Sequence, residues 1–507
     1  MATLSDQDRI FSFLSDKARH PDVRRIDTHA ASVFLLGDRA LKIKRAVRLP
    51  FLDYSTLARR KAACTTEMEI NRPFAPDIYL RTVAITEAPD GSLEIGGSGS
   101  PVEYAVEMRR FDDNQTLDHL ATRDQLSVAV AERLAETIAA SHEIAAPIAS
   151  DTWIESIPRW VDAFGASLRD SKRFANVQID ELCSLCHSAF SRLRSRLEQR
   201  SRTGHVRRCH GDLHLANVVL IDEKPVLFDA IEFDERIATI DVLYDLAFPL
   251  MDLLHFEQPA AANRLLNRYL SVAKSDEMGA LAALPLFMAI RAGIRAQVVL
   301  ARHDTAGRST NFDIAERYFQ LARSLMRPAG PLMIAIGGLS GTGKSALALA
   351  LAPLLVPPPG AVVLRSDVLR KQLLGAKETE RLPAAAYTAE SGAHLYRQLI
   401  THAERTITQG VTVIVDAVFA RTEERAAIAD LANRLDVPFV GLFLVADLRV
   451  RQERIRRRVN DASDATVDVA QQQEGYEIGP LNWAQIDASG TPETTLGRSI
   501  SLLRINS

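Results

Sequence analysis

The chain predicts two folded domains in tandem, an α+β domain followed by an α/β domain with a parallel sheet. Three observations carry this. Residues 26–48 show strand-like alternation around a turn, whereas 117–200 show Ala-rich helical periods. After residue 330, apolar strand-like runs alternate with helical ones, the pattern that lays helices over a parallel sheet. Between the two lies Arg327-Pro-Ala-Gly-Pro331, where two prolines and a glycine break a helical stretch just before a new apolar run. The boundaries are therefore drawn at 1–328 and 329–507.

Each element follows from its local pattern. Ser32–Leu36 is rich in β-formers, Gly37-Asp38 turns, and Ala40–Val47 returns with alternation, which makes a hairpin. A helix over 55–74 ends near Pro73 and Pro76, and strands at 79–86 and 103–111 are parted by Pro89-Asp90-Gly91. Residues 117–200 read as helices, 206–235 as β-like and 239–326 as helices again. In the second domain a strand over 332–336 precedes a glycine-rich turn and a helix to Leu355. The stop Pro357-Pro-Pro-Gly360 leads to a strand at 361–364. Helices to Gln409, a strand at 411–415, a helix from Arg421 and a strand at 439–445 complete the alternation.

With 507 residues, 47% hydrophobic and 25% charged, the chain can bury large cores. A net charge of -3 provides no global field to attract nucleic acid or an anionic membrane. The first residues lack the basic and then apolar layout of a secretory leader, and no apolar run is seen to approach the roughly 20 residues that span a bilayer. The expected compartment is the cytoplasm. Four cysteines are too few and too scattered for a disulfide framework. Cys183-Ser-Leu-Cys-His187 spells a haem-attachment pattern, but it sits in an amphipathic run where a small apolar Cys on a helix face is the simpler reading.

Two motifs carry phosphate chemistry. In His210-Gly-Asp212-Leu-His-Leu-Ala-Asn217, the spacing suits an Asp that takes the proton of an acceptor hydroxyl and an Asn that holds magnesium. Asp229, ending Val226-Leu-Phe-Asp229, suits the second metal ligand. Lys42 and Lys44 share one strand face; Lys42 is preferred for the nucleotide phosphates, with Lys44 as substitute. Glu67 on the following helix would orient it, and Glu69 points elsewhere. His210, Asp241 and Asp245 read as structural.

The second motif, Gly338-Leu-Ser-Gly-Thr-Gly-Lys-Ser345, is a complete P-loop. Backbone at Gly338, Ser340, Gly341, Thr342 and Gly343 cradles phosphates, Lys344 reaches the terminal ones and Ser345 ligates the metal. Ser366-Asp367-x-x-Arg370 at the next strand end offers an acid to take a hydroxyl proton and an Arg to clamp an acceptor. Asp416 ends the apolar run Val411–Asp416, a position for magnesium or acceptor contact. Arg451, Arg454, Arg456, Arg457 and Arg458 crowd one helix. Such a run is usually a solvated face; beside a P-loop it also suits a lid, and Arg454 and Arg458, one turn apart, are the choice for it.

On HxDxxxxN with Asp229 after it, residues 1–327 resemble the aminoglycoside-phosphotransferase type of protein-kinase-like domain. The resemblance implies two lobes, 1–107 and 114–327, with ATP at a hinge near Glu107-Met108-Arg109 and Met108 in contact with it. Two departures stand out: no Gly-rich loop precedes Lys42, and Ala230-Ile-Glu232 follows Asp229 in place of Phe-Gly. Residues 330–507 resemble the small P-loop kinases grouped with gluconate kinase, zeta toxins and polynucleotide 5′-kinases, on Ser366-Asp367-x-x-Arg370 and the Arg-rich stretch. Together the resemblances imply a bifunctional phosphotransferase with ATP and Mg2+ at two sites and small-molecule hydroxyl acceptors. Nucleic acid is disfavoured for the second domain, and no membrane partner is implied. The alternative makes the first domain a regulatory module that controls a C-terminal kinase.

Overall fold

The structure, a computed structural model, describes residues 4–49, 52–301, 308–459 and 461–503. Residues 302–307, within the helical span expected at 239–326, lie outside the described residues, as do the first three of the stretch examined for a leader. Contacts divide the chain into two compact units, Met1–Ile157 with Leu197–Asp252, and Pro158–Arg196 with Leu253–Ser507.

In the first unit six strands form one antiparallel sheet: β1 Arg24–Asp27, β2 Ala31–Leu36, β3 Arg39–Lys44, β4 Tyr79–Glu87, β5 Leu93–Ile95 and β6 Ser100–Arg109. Their order is β1-β2-β3-β6-β4-β5. Gly37 turns the β2–β3 hairpin in left-handed backbone, φ 58°. Because side chains alternate along a strand, the sheet has two apolar faces. One meets Ile10, Phe11 and Leu14 of the helix Leu4–Leu14, which packs on Phe34, Leu41, Ile43, Val83 and Ile85. The other covers Cys64 and Met68 of the helix Leu57–Asn71, whose N-terminus Thr56 caps by accepting from the Arg59 amide. The polar motif lies between two short antiparallel pairings: Val206–Arg208 with Thr239–Asp241, and the hairpin β7 Val218–Ile221 with β8 Lys224–Leu227.

In the second unit five strands run parallel: β9 Met333–Gly338, β10 Val362–Arg365, β11 Val413–Asp416, β12 Phe439–Val445 and β13 Ala484–Asp487, in the order β10-β11-β9-β12-β13. Ile334, Ile336, Ile414, Leu442 and Leu444 bury one sheet face against Leu347, Ala348 and Leu351 of the helix Lys344–Leu351. β9 is central, and the chain crosses to opposite sides of it, so the carboxyl ends of β9, β10 and β11 open a crevice at the topological switch.

Helices on both sides of the Arg327–Pro331 break pack into this unit. Asn263 on the helix Pro259–Val272 donates to the Pro359 and Ala361 carbonyls at 3.0 and 2.9 Å. Asn267 donates to the Ala361 carbonyl at 3.0 Å and accepts the Val363 amide at 2.7 Å. A side-chain amide thus continues the ladder along β10, an edge strand that would otherwise present unpaired groups. Cys183 and Cys186 are buried in the helix Asn176–Arg202, and His187 sits 3.0 Å from Asp162. One finding departs from expectation: the helical stretch Met278–Ala301 is long and apolar enough to cross a bilayer, although most of its apolar window is buried within the protein.

Candidate functional site

Lys42 projects from β3 and its ammonium lies 2.7 Å from Glu67 and 2.5 Å from Asp229. Lys44, two residues on and therefore on the same face, lies 2.6 Å from the other Glu67 oxygen and pairs with Glu232. Both lysines reach the one glutamate, which is buried, whereas Glu69 is exposed. Burial alone would push Glu67 up, but the two ammoniums outweigh it and hold the carboxyl at about 2. Burial likewise opposes the charge on Lys42, and Asp229 and Glu67 reverse this and raise it well above its ordinary value. Glu232 stands in the segment that departs from Phe-Gly, so that departure is filled by an ion-pair partner.

The motif loop is braced from beneath. Gly211 has φ 83°, and its amide donates to Asp245 at 2.9 Å; Asp245 is also 3.1 Å from His142. The Leu215 amide donates to Asp252 at 3.0 Å, and His210 meets the Phe228 carbonyl at 2.9 Å. Burial depresses the pKa of His210 and keeps that ring neutral. These contacts leave Asp212 half-buried at the surface of the loop. The Asn217 side-chain amide donates to its carbonyl at 2.9 Å and its carboxylate at 3.3 Å, and His214 is 3.4 Å away. Asp229 has a left-handed backbone, φ 61°, and its amide donates to the Tyr79 hydroxyl at 3.0 Å. The neighbouring apolar cluster contains Tyr79, Val106 and Val219, with Met108, Ile221 and Phe228 packed on it.

In the second unit the P-loop follows β9. The Lys344 ammonium is buried, and among the described residues its one hydrogen bond is to the Leu339 carbonyl at 3.2 Å. Burial lowers its pKa against the pull of Asp416 and Asp367. Ser345 donates to Asp416 at 2.5 Å. Asp416 ends β11 opposite Ile336 of β9, and burial raises its carboxyl. A cavity of 1680 Å³ opens here, lined by Ser340 to Ser345, Asp367, Arg370, Asp416, Arg454 and Arg458.

The Arg-rich stretch separates into distinct environments. Arg454 donates to the Thr342 carbonyl at 3.3 Å, and Arg458, two residues beyond the helix Leu448–Arg456 and so not on it, has a buried Nη1 with no hydrogen-bond partner among the described residues. Arg456 and Arg457 pair with Glu453 at the surface. Arg451 is buried and donates to the Ser340 carbonyl at 2.9 Å. Gln473 accepts the Ser340 amide at 2.7 Å. Neither role was visible in the sequence, since Gln473 ends a Gln-Gln-Gln run and Arg451 opens an Arg run. A buried ammonium with one carbonyl partner and an orphaned guanidinium nitrogen fit an anionic phosphate chain, and Ser345 with Asp416 fit a hard divalent cation.

Comparison with known proteins matches a family profile to the region around each motif. Residues 32–284 match the profile of the phosphotransferase enzyme family and 333–476 that of an AAA domain. A protein of Mycobacterium tuberculosis and one of Mycobacterium bovis, both described as uncharacterized, are each 28% identical over 499 residues, 95% of this chain and of theirs. Among solved structures, the chain is similar to a choline/ethanolamine kinase family protein of Mesorhizobium loti (13% identity, 63% of this chain and 99% of that one, TM-score 0.35). It is also similar to a gluconokinase of Sinorhizobium meliloti (18%, 35% and 94%, TM-score 0.26). The chain thus carries a domain of the phosphotransferase enzyme family at 32–284 and joins to it an AAA-type, kinase-like domain at 333–476.

Proposed function

We propose that the chain is a phosphotransferase with two separate ATP- and magnesium-dependent sites, each passing the γ-phosphoryl group to a hydroxyl of a small molecule. The observation that carries the reading is that each set of phosphate-handling residues adjoins a carboxylate: Asp212, 3.3 Å from the Asn217 side-chain amide, in one, and Asp367, on the lining of the cavity beside the P-loop, in the other. In the first site Asp212 takes the acceptor proton while Asn217 and His214 fix its carboxylate. Lys42, kept charged by Glu67 and Asp229, contacts the phosphates, and Met108 lies against the base. In the second, the P-loop amides and Lys344 hold the phosphate chain, Arg454 and Arg458 close on it, Asp367 takes the proton and Arg370 orients the acceptor. Magnesium, where bound, supplies charge neutralisation on the phosphates; Asn217 with Asp229, and Ser345 with Asp416, would hold it. Most of the rate then comes from positioning and electrostatics.

The test is labelled ATP and a library of hydroxyl metabolites with wild type, Asp212→Asn and Asp367→Asn. Each variant should lose transfer to one set of acceptors and keep the other. Two variants that behave like wild type would refute the assigned bases.

A further inference from the structure

Asp416, at the end of β11, faces a second cation besides Lys344. Arg365 is its register partner on β10, and the Arg365 Nε lies 3.8 Å from Asp416 Oδ2, the same oxygen to which the Ser345 hydroxyl donates at 2.5 Å. The other two nitrogens of that guanidinium also face acids: Nη1 is 3.5 Å from Glu378 and Nη2 is 3.6 Å from Asp461. One arginine thus stands among three carboxylates from three segments. Its Nε is buried with no hydrogen-bond partner among the described residues, so its charge is shared among the acids rather than fixed by a bond to Asp416.

Glu378 is in turn paired with Arg268, on the helix Pro259–Val272. That helix falls within the stretch matched by the phosphotransferase enzyme family, residues 32–284, yet its contacts place it in the same compact unit as the P-loop. Its attachment there is specific. Besides the Asn263 and Asn267 bonds to the backbone of 359–363, Gln372 of the helix Ser366–Leu373 donates to the Ser271 carbonyl at 2.8 Å. The neighbouring Lys371 donates to the Glu378 carbonyl at 2.7 Å. The helix, β10 and the loop bearing Glu378 are therefore held in one frame, along which charges of alternating sign run from Arg268 through Glu378 and Arg365 to Asp416.

We propose that Arg268 is a positioning residue of the second site, supplied from outside the P-loop region, which sets through Glu378 and Arg365 how readily Asp416 accepts a divalent cation. This rests on the reading that Ser345 and Asp416 hold magnesium. The signs follow from Coulomb's law: Arg365 repels a cation at Asp416 Oδ2, Glu378 draws Arg365 away, and Arg268 weakens that pull by neutralising Glu378. Loss of Arg268 therefore favours the cation, and loss of the Glu378 charge opposes it. Pure loss of packing would move both variants the same way.

Calorimetry tests it on the full chain, titrated with a non-hydrolysable ATP analogue across a series of Mg2+ concentrations, with Lys344→Ala supplying the first site's share for subtraction. The Mg2+ concentration that half-saturates the second site's gain in affinity should fall about threefold in Arg268→Met and in Arg365→Met and rise about threefold in Glu378→Gln, the size of a partly exposed ion pair. Arg268→Lys should restore the wild-type value. Arg268→Met/Arg365→Met should match Arg365→Met alone, because Arg268 acts only through Arg365. Arg268 and Glu378 are partly exposed, so their opposite shifts decide the matter even where Arg365→Met folds poorly. Shifts of the same sign in those two variants, or none, would overturn the proposal, as would effects that add in the double variant. If Mg2+ leaves the affinity of the wild-type second site unchanged, the magnesium assignment itself falls and takes this proposal with it; a Mg2+ dependence that no variant alters sinks this proposal alone.

Discussion

Gly341 shows what a single backbone position does here. Its φ is 87°, and a Cβ would meet the Arg451 carbonyl oxygen at 2.7 Å and Cα at 2.9 Å, so both conformation and space exclude a side chain. Gly341→Ala should weaken nucleotide binding at the second site by about tenfold or more, read by calorimetry, because loop or helix must shift at a cost of order 1–3 kcal/mol. Asp212→Asn should leave ATP affinity near normal and slow first-domain transfer by roughly 100- to 10,000-fold, checked by single-turnover assays. His255 titrates in a different setting. It is stacked on Tyr318 at 3.6 Å, and burial, helped by Arg317 and Arg295, depresses its pKa to about 3. The folded protein therefore favours the neutral ring, and its contribution is intact above the ordinary value of 6.5 and lost as pH falls towards 3. Denaturant titrations of wild type should lose on the order of 3 kcal/mol from this group between pH 7 and pH 4, and His255→Phe should flatten that part of the curve.

Among the elements, those with a strong period were legible and those fixed by tertiary contact were not. The β2–β3 hairpin and β9 to β12 follow from alternation and apolar runs; β13, Ala484–Asp487, has too few apolar residues to register and exists because β12 offers it an edge. The lysine ambiguity had a physical root: a period of two puts Lys42 and Lys44 on one face, and in the structure both meet Glu67. Motif spacing singled out Asp212, Asn217, Lys344 and Ser345 as candidates. The bracing groups Asp245, Asp252 and Gln473 bond backbone amides, and no pattern in the chain marks such contacts. Gln473 makes the point testable. It accepts the Ser340 amide and donates to the Ser340 hydroxyl at 3.1 Å, so Gln473→Leu leaves a buried amide unpaired. That change should cost about 1–3 kcal/mol in the second unit and weaken ATP there more than Arg457→Ala, a surface control, as thermal shift with and without nucleotide would reveal.

At the scale of the whole molecule, the central claim is that two phosphate sites of unrelated architecture work independently on one chain. The first depends on antiparallel strands, a helix and a braced loop within one compact unit; the second depends on the crevice of a parallel sheet within the other. Calorimetric titration of the full chain with Mg·ATP tests this most directly. Wild type should bind two equivalents. Lys344→Ala should bind one, with the affinity of the remaining site unchanged, and Lys344→Ala combined with Asp229→Ala should show that last equivalent weakened. Zero or two equivalents in Lys344→Ala would contradict independent sites.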